Sequence, residues 1–198
     1  MIYLGIEPKE ETLSRYSVIN LSQWKLLEEE KITRDEVKIR RYQLLFDELG
    51  IDCSAEYAAE YYEALLGVGH YFVDGAEELL KRLSKDYRLY VVSNGTAEVQ
   101  KSRIESSGIA KFLDDIFISQ QIGFDKPNVK FFDHCFSSIS NFKKIETVIV
   151  GDSLTSDIAG GRNSGITTVW FNPRGQKNPS DIIPDHEIHR LLDLIPLL

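Results

Sequence analysis

Three short stretches bring hydroxyl, ammonium and carboxylate groups to places where the chain turns: "VVSNGT" at 91–96, "GFDKP" at 123–127 and "GDSLTSD" at 151–157. Each directly follows a strand-like run or directly precedes a helical one. The first offers the Ser93 hydroxyl and the backbone N–H groups of Asn94 and Gly95 beside a helix N-terminus, an arrangement suited to holding an anion. The second offers Lys126, a compact positive charge. The third offers Asp152, an oxygen donor for a hard divalent cation, with Asp157 one helical turn further on. An anion pocket beside a metal carboxylate points to phosphate chemistry. Each residue also has a plain structural reading: Ser93 and Asn94 as helix caps, Lys126 as a solvated loop lysine, Asp152 as an N-cap. Their order and shared loop placement favour the functional one.

Those loops need a framework. Residues 75–198 alternate β-branched or aromatic runs with helical segments: strands "YRLYVVS", "DIFIS", "TVIVG" and "TTVWFN", with helices "TAEVQKSRIESSG", "NVKFFDHCFSSI" and "LTSDIAGGRNSG" between them. Such alternation predicts a parallel sheet with ligand loops at the C-terminal ends of its strands. Residues 1–70 read almost entirely as helix. Pro8 with Glu10 and Glu11 suits a first turn. Thr33 with Glu36 forms a capping box for a helix that ends at Gly50. "SAEYAAEYYEALL" gives a further amphipathic helix on which Tyr57, Ala58, Tyr61 and Leu65 recur at helical spacing. Asp74 with Glu77 predicts a second capping box, opening a helix whose Leu79, Leu80 and Leu83 share a face. The composition shift divides the chain into 1–72, a helical domain, and 73–198, an α/β domain.

The totals bound the partners. With 23 Lys and Arg against 31 Asp and Glu, the net charge is −8, which disfavours nucleic acid and anionic membrane surfaces. Cys53 and Cys135 lack metal-like spacing and read as free thiols of a reducing compartment, so a cytoplasmic location is expected. His70, His134, His186 and His189 show no metal spacing and read as structural or surface residues.

Taken together, "YVVSNGT", "GFDKP" and "VIVGDSLTSDIAGGRNSG" resemble motifs two, three and four of the haloacid dehalogenase superfamily, in order and with similar spacing. The helical part, including "INLSQWKLLEEEKITRDEV", is similar to the cap of its phosphatase members, particularly the branch acting on pyrimidine nucleotides. The resemblance implies a Rossmann-like parallel core (73–198) under an α-helical cap (1–72), and Mg²⁺-assisted hydrolysis of a small phosphorylated metabolite, such as a nucleoside monophosphate, through an aspartyl-phosphate. It implies that Ser93 and the N–H groups of Asn94 and Gly95 hold the transferring phosphoryl group and that Lys126 neutralises its charge. It further implies that Asp152 ligates Mg²⁺ and that Asp157 supports the metal shell or orients Lys126. Selectivity contacts are expected from the cap, where Asn20, Trp24 and Arg41 are candidates for a substrate pocket.

The superfamily's first motif, a strand ending in Asp-x-Asp that carries the nucleophile, has no counterpart. Asp47 in "LLFDELG" is its nearest imitation, but Leu49 stands where the second aspartate belongs and the stretch is helical. The resemblance therefore implies a missing central core strand, flanked by the strands that end at Ser93 and Gly151. The expectation is a truncated or inactive form, with the gap closed by direct pairing or by an oligomer that supplies the strand in trans. The alternative is a non-catalytic fragment that binds a phosphate ligand or a partner. A dehalogenase is the lesser family option. An esterase using "GDSL" would need Ser153 with an Asp-x-x-His, yet Asp185 and His189 are one residue too far apart. A receiver domain is discarded because its acidic pair precedes the lysine.

Overall fold

The computed structural model describes residues 9–198, which form two compact units dividing between Leu66 and Gly67. Pro8 lies outside the described residues. Among the described residues no helix is long and apolar enough to cross a membrane.

The first unit contains α1 (Glu10–Glu28), α2 (Arg34–Leu49) and most of α3 (Ala55–Val68). α2 begins as its sequence dictates. The Thr33 hydroxyl accepts from the Glu36 N–H while the Glu36 carboxylate accepts from the Thr33 N–H at 2.7 Å, and Gly50 ends the helix at φ 62°. The core gathers Ile19, Tyr42, Leu45, Phe46, Ala55, Ala58 and Ala59. α3 thus buries its alanine face, whereas Tyr57 and Leu65 of the expected apolar set are exposed. Alanines permit close approach of neighbouring helices. Tyr57 instead stacks on Tyr61, with ring centroids 6.3 Å apart.

The second unit is built from α4 (Ala76–Leu83), β1 (Tyr90–Ser93), α5 (Ala97–Ser107), β2 (Asp115–Ile118), α6 (Ser119–Ile122), α7 (Val129–Ser138), β3 (Val148–Gly151), α8 (Ala159–Ser164), β4 (Thr167–Phe171) and β5 (His186–Ile188). Among the described residues all strand pairing is parallel: β1 with β2, β3 with β4, and β4 with β5. The fold is a mixed α/β core with a parallel sheet, as the alternation predicted. β1 and β3 do not pair with each other, so the strands fall into a two-stranded and a three-stranded sheet.

Two apolar layers cover the strands. Phe131, Phe132 and Cys135 of α7 meet Phe117, Ile149, Tyr90 and Val92 on one face. Leu79 and Leu83 of α4, with Leu194, meet Val169, Ile188, Leu89, Val148 and Val150 on the other. The period-two alternation of Val148, Ile149 and Val150 sends successive side chains to opposite layers. The start of α4 corrects one expectation: Gly75 occupies the cap at φ 80°, with no side-chain cap bond, so Asp74 and Glu77 form no capping box. α6 and β5 were not legible, since four and three residues respectively carry too little pattern.

Candidate functional site

β1 and β3 both end in loops that bond to the segment carrying Lys126. Asn94, directly after β1, grips that segment through its side-chain amide: the Lys126 N–H donates to Asn94 Oδ1 at 2.8 Å, and Asn94 Nδ2 donates to the Lys126 carbonyl at 2.9 Å. Asn94 Nδ2 also reaches Ser156 Oγ at 3.3 Å. The Lys126–Pro127 peptide is cis. With its backbone held, Lys126 extends its ammonium to Asp157 Oδ1 at 2.7 Å and to the Val92 carbonyl at 2.8 Å.

Both partners of this ion pair are buried, at 5% and 8% exposure. Removing such charges from water is costly unless each is paired and hydrogen-bonded, and here both are. The second Asp157 oxygen accepts from the Ser153 N–H at 3.2 Å. The turn over Leu154–Ile158 is a wide π-helical one, and π turns commonly mark functional positions. Ser153 caps that turn by accepting from the Ser156 N–H at 3.1 Å. Gly151 makes room: a Cβ there would stand 2.2 Å from Asp157 Oδ2. The Asp157 carboxylate bonds directly to Lys126, the contact that one of its two expected roles requires.

Ser93 takes a partly structural position, since its Oγ accepts from the Gly95 N–H at 3.1 Å. That N–H is therefore committed within the loop, while the Ser93 hydroxyl keeps its own proton for donation. Asp152 stands exposed next to Ser153, its carbonyl accepting from Trp170 Nε1 at 3.0 Å. Its carboxylate makes no hydrogen bond or ion pair among the described residues.

A magnesium ion takes oxygen ligands and keeps several waters, so one or two carboxylates suffice to hold it. Asp152 fits that role as a single ligand. Among the described residues no group of three or more His, Cys, Asp or Glu is gathered to hold a metal.

The rival serine reading finds no support in the geometry. Ser153 is spent on capping, Asp185 accepts from the Thr168 N–H at 2.9 Å and its hydroxyl at 2.7 Å, and His189 Nδ1 lies 2.7 Å from the Asn172 carbonyl. The Thr168 bonds hold the Asp185 carboxyl below its usual range. Asp47 sits on α2, accepting from Gln43 Nε2 at 2.8 Å.

Arg41 is buried within the first unit. It donates to Asn20 Oδ1 at 3.1 Å and pairs with Glu63 at 3.4 Å, and its guanidinium lies 5.2 Å and 4.9 Å from the Tyr42 and Tyr62 ring centres. These contacts give it a structural anchor, and Trp24 is half-buried. Sequence reasoning missed the Asn94 side chain and Ser156. A polar residue after a strand reads as a cap, and nothing in spacing announces a clamp on a residue 32 positions away.

Comparison with known proteins identifies the family. The family model described as haloacid dehalogenase-like hydrolase matches residues 3–171. HAD-hydrolase YfnB of Bacillus subtilis is 39% identical over 185 residues, covering 93% of this chain and 79% of the relative. Pyrimidine 5'-nucleotidase PynA of Streptococcus pneumoniae is 35% identical over 184 residues, covering 92% of this chain and 78% of the relative. The magnesium-bound orthorhombic crystal structure of YfnB superposes with a TM-score of 0.91 at 37% identity, over 98% of this chain and 85% of that one. L-2-haloacid dehalogenase of Xanthobacter autotrophicus, at 14% identity, 95% and 85% coverage and a TM-score of 0.75, shares the fold. The loops that carry Ser93, Lys126 and Asp152 all lie inside the matched span, and this chain belongs to the haloacid dehalogenase-like hydrolases.

Proposed function

We propose that this chain supplies the phosphate-holding and cation-holding half of a phosphate monoester hydrolase acting on a small phosphorylated metabolite, with a nucleoside monophosphate as the substrate class. The observation that carries the reading is the buried Lys126–Asp157 pair at 2.7 Å, clamped by Asn94 beside Ser93 and sharing Asp157 with the Ser153 N–H contact next to Asp152. A lysine held in this way is a fixed positive charge, which stabilises charge on a phosphoryl group without reorganising. Ser93 donates its hydroxyl proton to a phosphoryl oxygen, and Asp152 offers its exposed carboxylate to a divalent cation. Bound magnesium supplies charge neutralisation at the phosphoryl oxygens. The nucleotide preference is supported by the relative named pyrimidine 5'-nucleotidase. The net charge of −8 and the absence of a membrane-crossing helix among the described residues fit a small-molecule ligand and a cytoplasmic setting.

The sequence contains no Asp-x-Asp. The chain alone is therefore expected to bind the ligand and to turn it over negligibly. Calorimetric titration with uridine monophosphate and Mg²⁺ tests the first part: saturable binding should weaken about tenfold or more in Ser93→Ala and in Asp152→Asn, a loss of about 1.4 kcal/mol each. Undetectable binding, or binding indifferent to both substitutions, contradicts the reading. Mg²⁺-dependent hydrolysis of p-nitrophenyl phosphate by the purified chain, abolished by Asp152→Ala, contradicts the second part.

A further inference from the structure

Two backbone donors of the loop after β1 are already engaged within the protein: the Gly95 N–H on Ser93 Oγ at 3.1 Å, and the Ala97 N–H on Gln120 Oε1 at 2.7 Å. Gln100 stands one turn into α5, its own N–H donating to the Thr96 carbonyl at 2.9 Å. Helical Cα–Cβ bonds tilt toward the N-terminus, so the Gln100 side chain runs back over the first turn toward Gly95. It reaches that residue: a Cβ on Gly95 would stand 2.9 Å from the Gln100 carboxamide carbon and closer still to Nε2. Glycine at 95 is thus what admits the carboxamide to the loop that presents the Ser93 hydroxyl. A carboxamide carries two N–H donors and a carbonyl acceptor. The neighbouring amides are used, Asn94 on Lys126 and Ser156, and Gln120 on Ala97. Gln100 is half-buried, yet its side chain makes no hydrogen bond among the described residues. A polar group withdrawn from water without a partner costs free energy that a bound acceptor recovers.

We propose that Gln100 is a further phosphoryl-binding residue, whose Nε2 donates to an oxygen of the phosphoryl group that the Ser93 hydroxyl holds. The inference rests on the phosphate reading and adds to it a residue outside the loop motifs. Gln100 supplies the donor that the Gly95 N–H, committed to Ser93, does not. A neutral amide suits this place. The Lys126 ammonium already brings a positive charge to the Val92 carbonyl, one residue before Ser93, and finds its counter-ion in Asp157. A second cation there would need a second buried partner, whereas an amide fixes the orientation of a tetrahedral anion through a placed hydrogen bond alone. The ligand class is a phosphate monoester or inorganic phosphate. A nucleoside without its phosphate brings no oxyanion to this amide.

The test uses the full chain with Mg²⁺, inorganic phosphate and uridine monophosphate as ligands, and uridine as the phosphate-free control. Gln100→Leu removes the donor. Gln100→Glu keeps the side-chain shape over Gly95 and sets a carboxylate against the anion. Calorimetric titration should show binding of both phosphate ligands weakened about tenfold in Gln100→Leu and further still in Gln100→Glu. A side chain that only packs against Gly95 gives the reverse order, with the glutamate variant close to wild type, and that order overturns the proposal. A second measurement needs no variant. In the ¹⁵N-labelled wild-type chain, the Gln100 side-chain amide signal should shift with phosphate and with uridine monophosphate and stay in place with uridine. A signal unmoved by bound phosphate, or moved equally by uridine, overturns the proposal as well. Failure of this inference and failure of the phosphate reading are separable. Phosphate binding that Ser93→Ala weakens and both Gln100 variants leave intact removes the role of Gln100 alone. No saturable binding to the wild-type chain up to about 1 mM removes both.

Discussion

Lys126 and Asp157 concentrate the energetic risk of this molecule in one contact. Truncating one partner of a buried pair leaves the other charged and unpaired, so Lys126→Met should destabilise the second unit by about 3–5 kcal/mol in urea titrations. Combining it with Asp157→Leu should recover a large part, because a buried pair replaced by apolar groups often costs little. A loss in the double variant equal to the sum of the two single losses would show that the pair is not coupled. Gly151→Ala is a second residue-scale test. Its Cβ would meet Asp157 at 2.2–2.4 Å, and overpacking of that kind costs about 1–3 kcal/mol. Calorimetry should show the loss, and an unchanged melting temperature would mean that the Asp157 side chain has room to move. At this scale the sequence named Ser93, Lys126, Asp152 and Asp157 from type and loop placement alone. It missed the Asn94 clamp, because a side-chain bond across 32 residues depends on tertiary placement and leaves no local pattern.

Elements were legible where local chemistry decides them. The Thr33–Glu36 capping box and the Gly50 terminus appear as written, and Thr33→Ala should cost about 1 kcal/mol by denaturant unfolding. The start of α4 was misread, since Gly75 in a left-handed conformation took the cap that Asp74 was expected to hold. Alanines were also underweighted in α3: Ala55, Ala58 and Ala59 are buried while Tyr57 is outside. The helices of the first unit meet around Tyr16, Tyr42 and Tyr62, where burial raises the Tyr16 phenol from 10.0 to about 12 and pushes Tyr42 up as well. A phenol whose value is raised on folding contributes stability that is complete below its unfolded value and is lost as pH rises through its folded value. The first unit should therefore lose stability between pH 10.0 and about 12, and Tyr16→Phe should flatten that dependence in circular-dichroism melts. A profile identical in Tyr16→Phe would place the titration elsewhere.

Across the whole molecule, the alternation of strands and helices foretold a parallel α/β core, because each strand buried on two faces needs a helix on either side to return the chain. The pairing partners of each strand were not foretold, since strand order arises from contacts that no window of sequence contains. The same architecture explains why groups scattered along the chain from Asn94 to Asp157 bond to one another: strands of one direction deliver their following loops to one end. The central claim is that this end holds a phosphate and a divalent cation side by side. Phosphorus NMR of inorganic phosphate with the protein and Mn²⁺, a paramagnetic stand-in for Mg²⁺, tests it most directly. The phosphate line should broaden well beyond its width with Mn²⁺ alone, and the excess should vanish in Asp152→Asn. A line no broader with protein than without it, or an excess untouched by Asp152→Asn, would contradict the account.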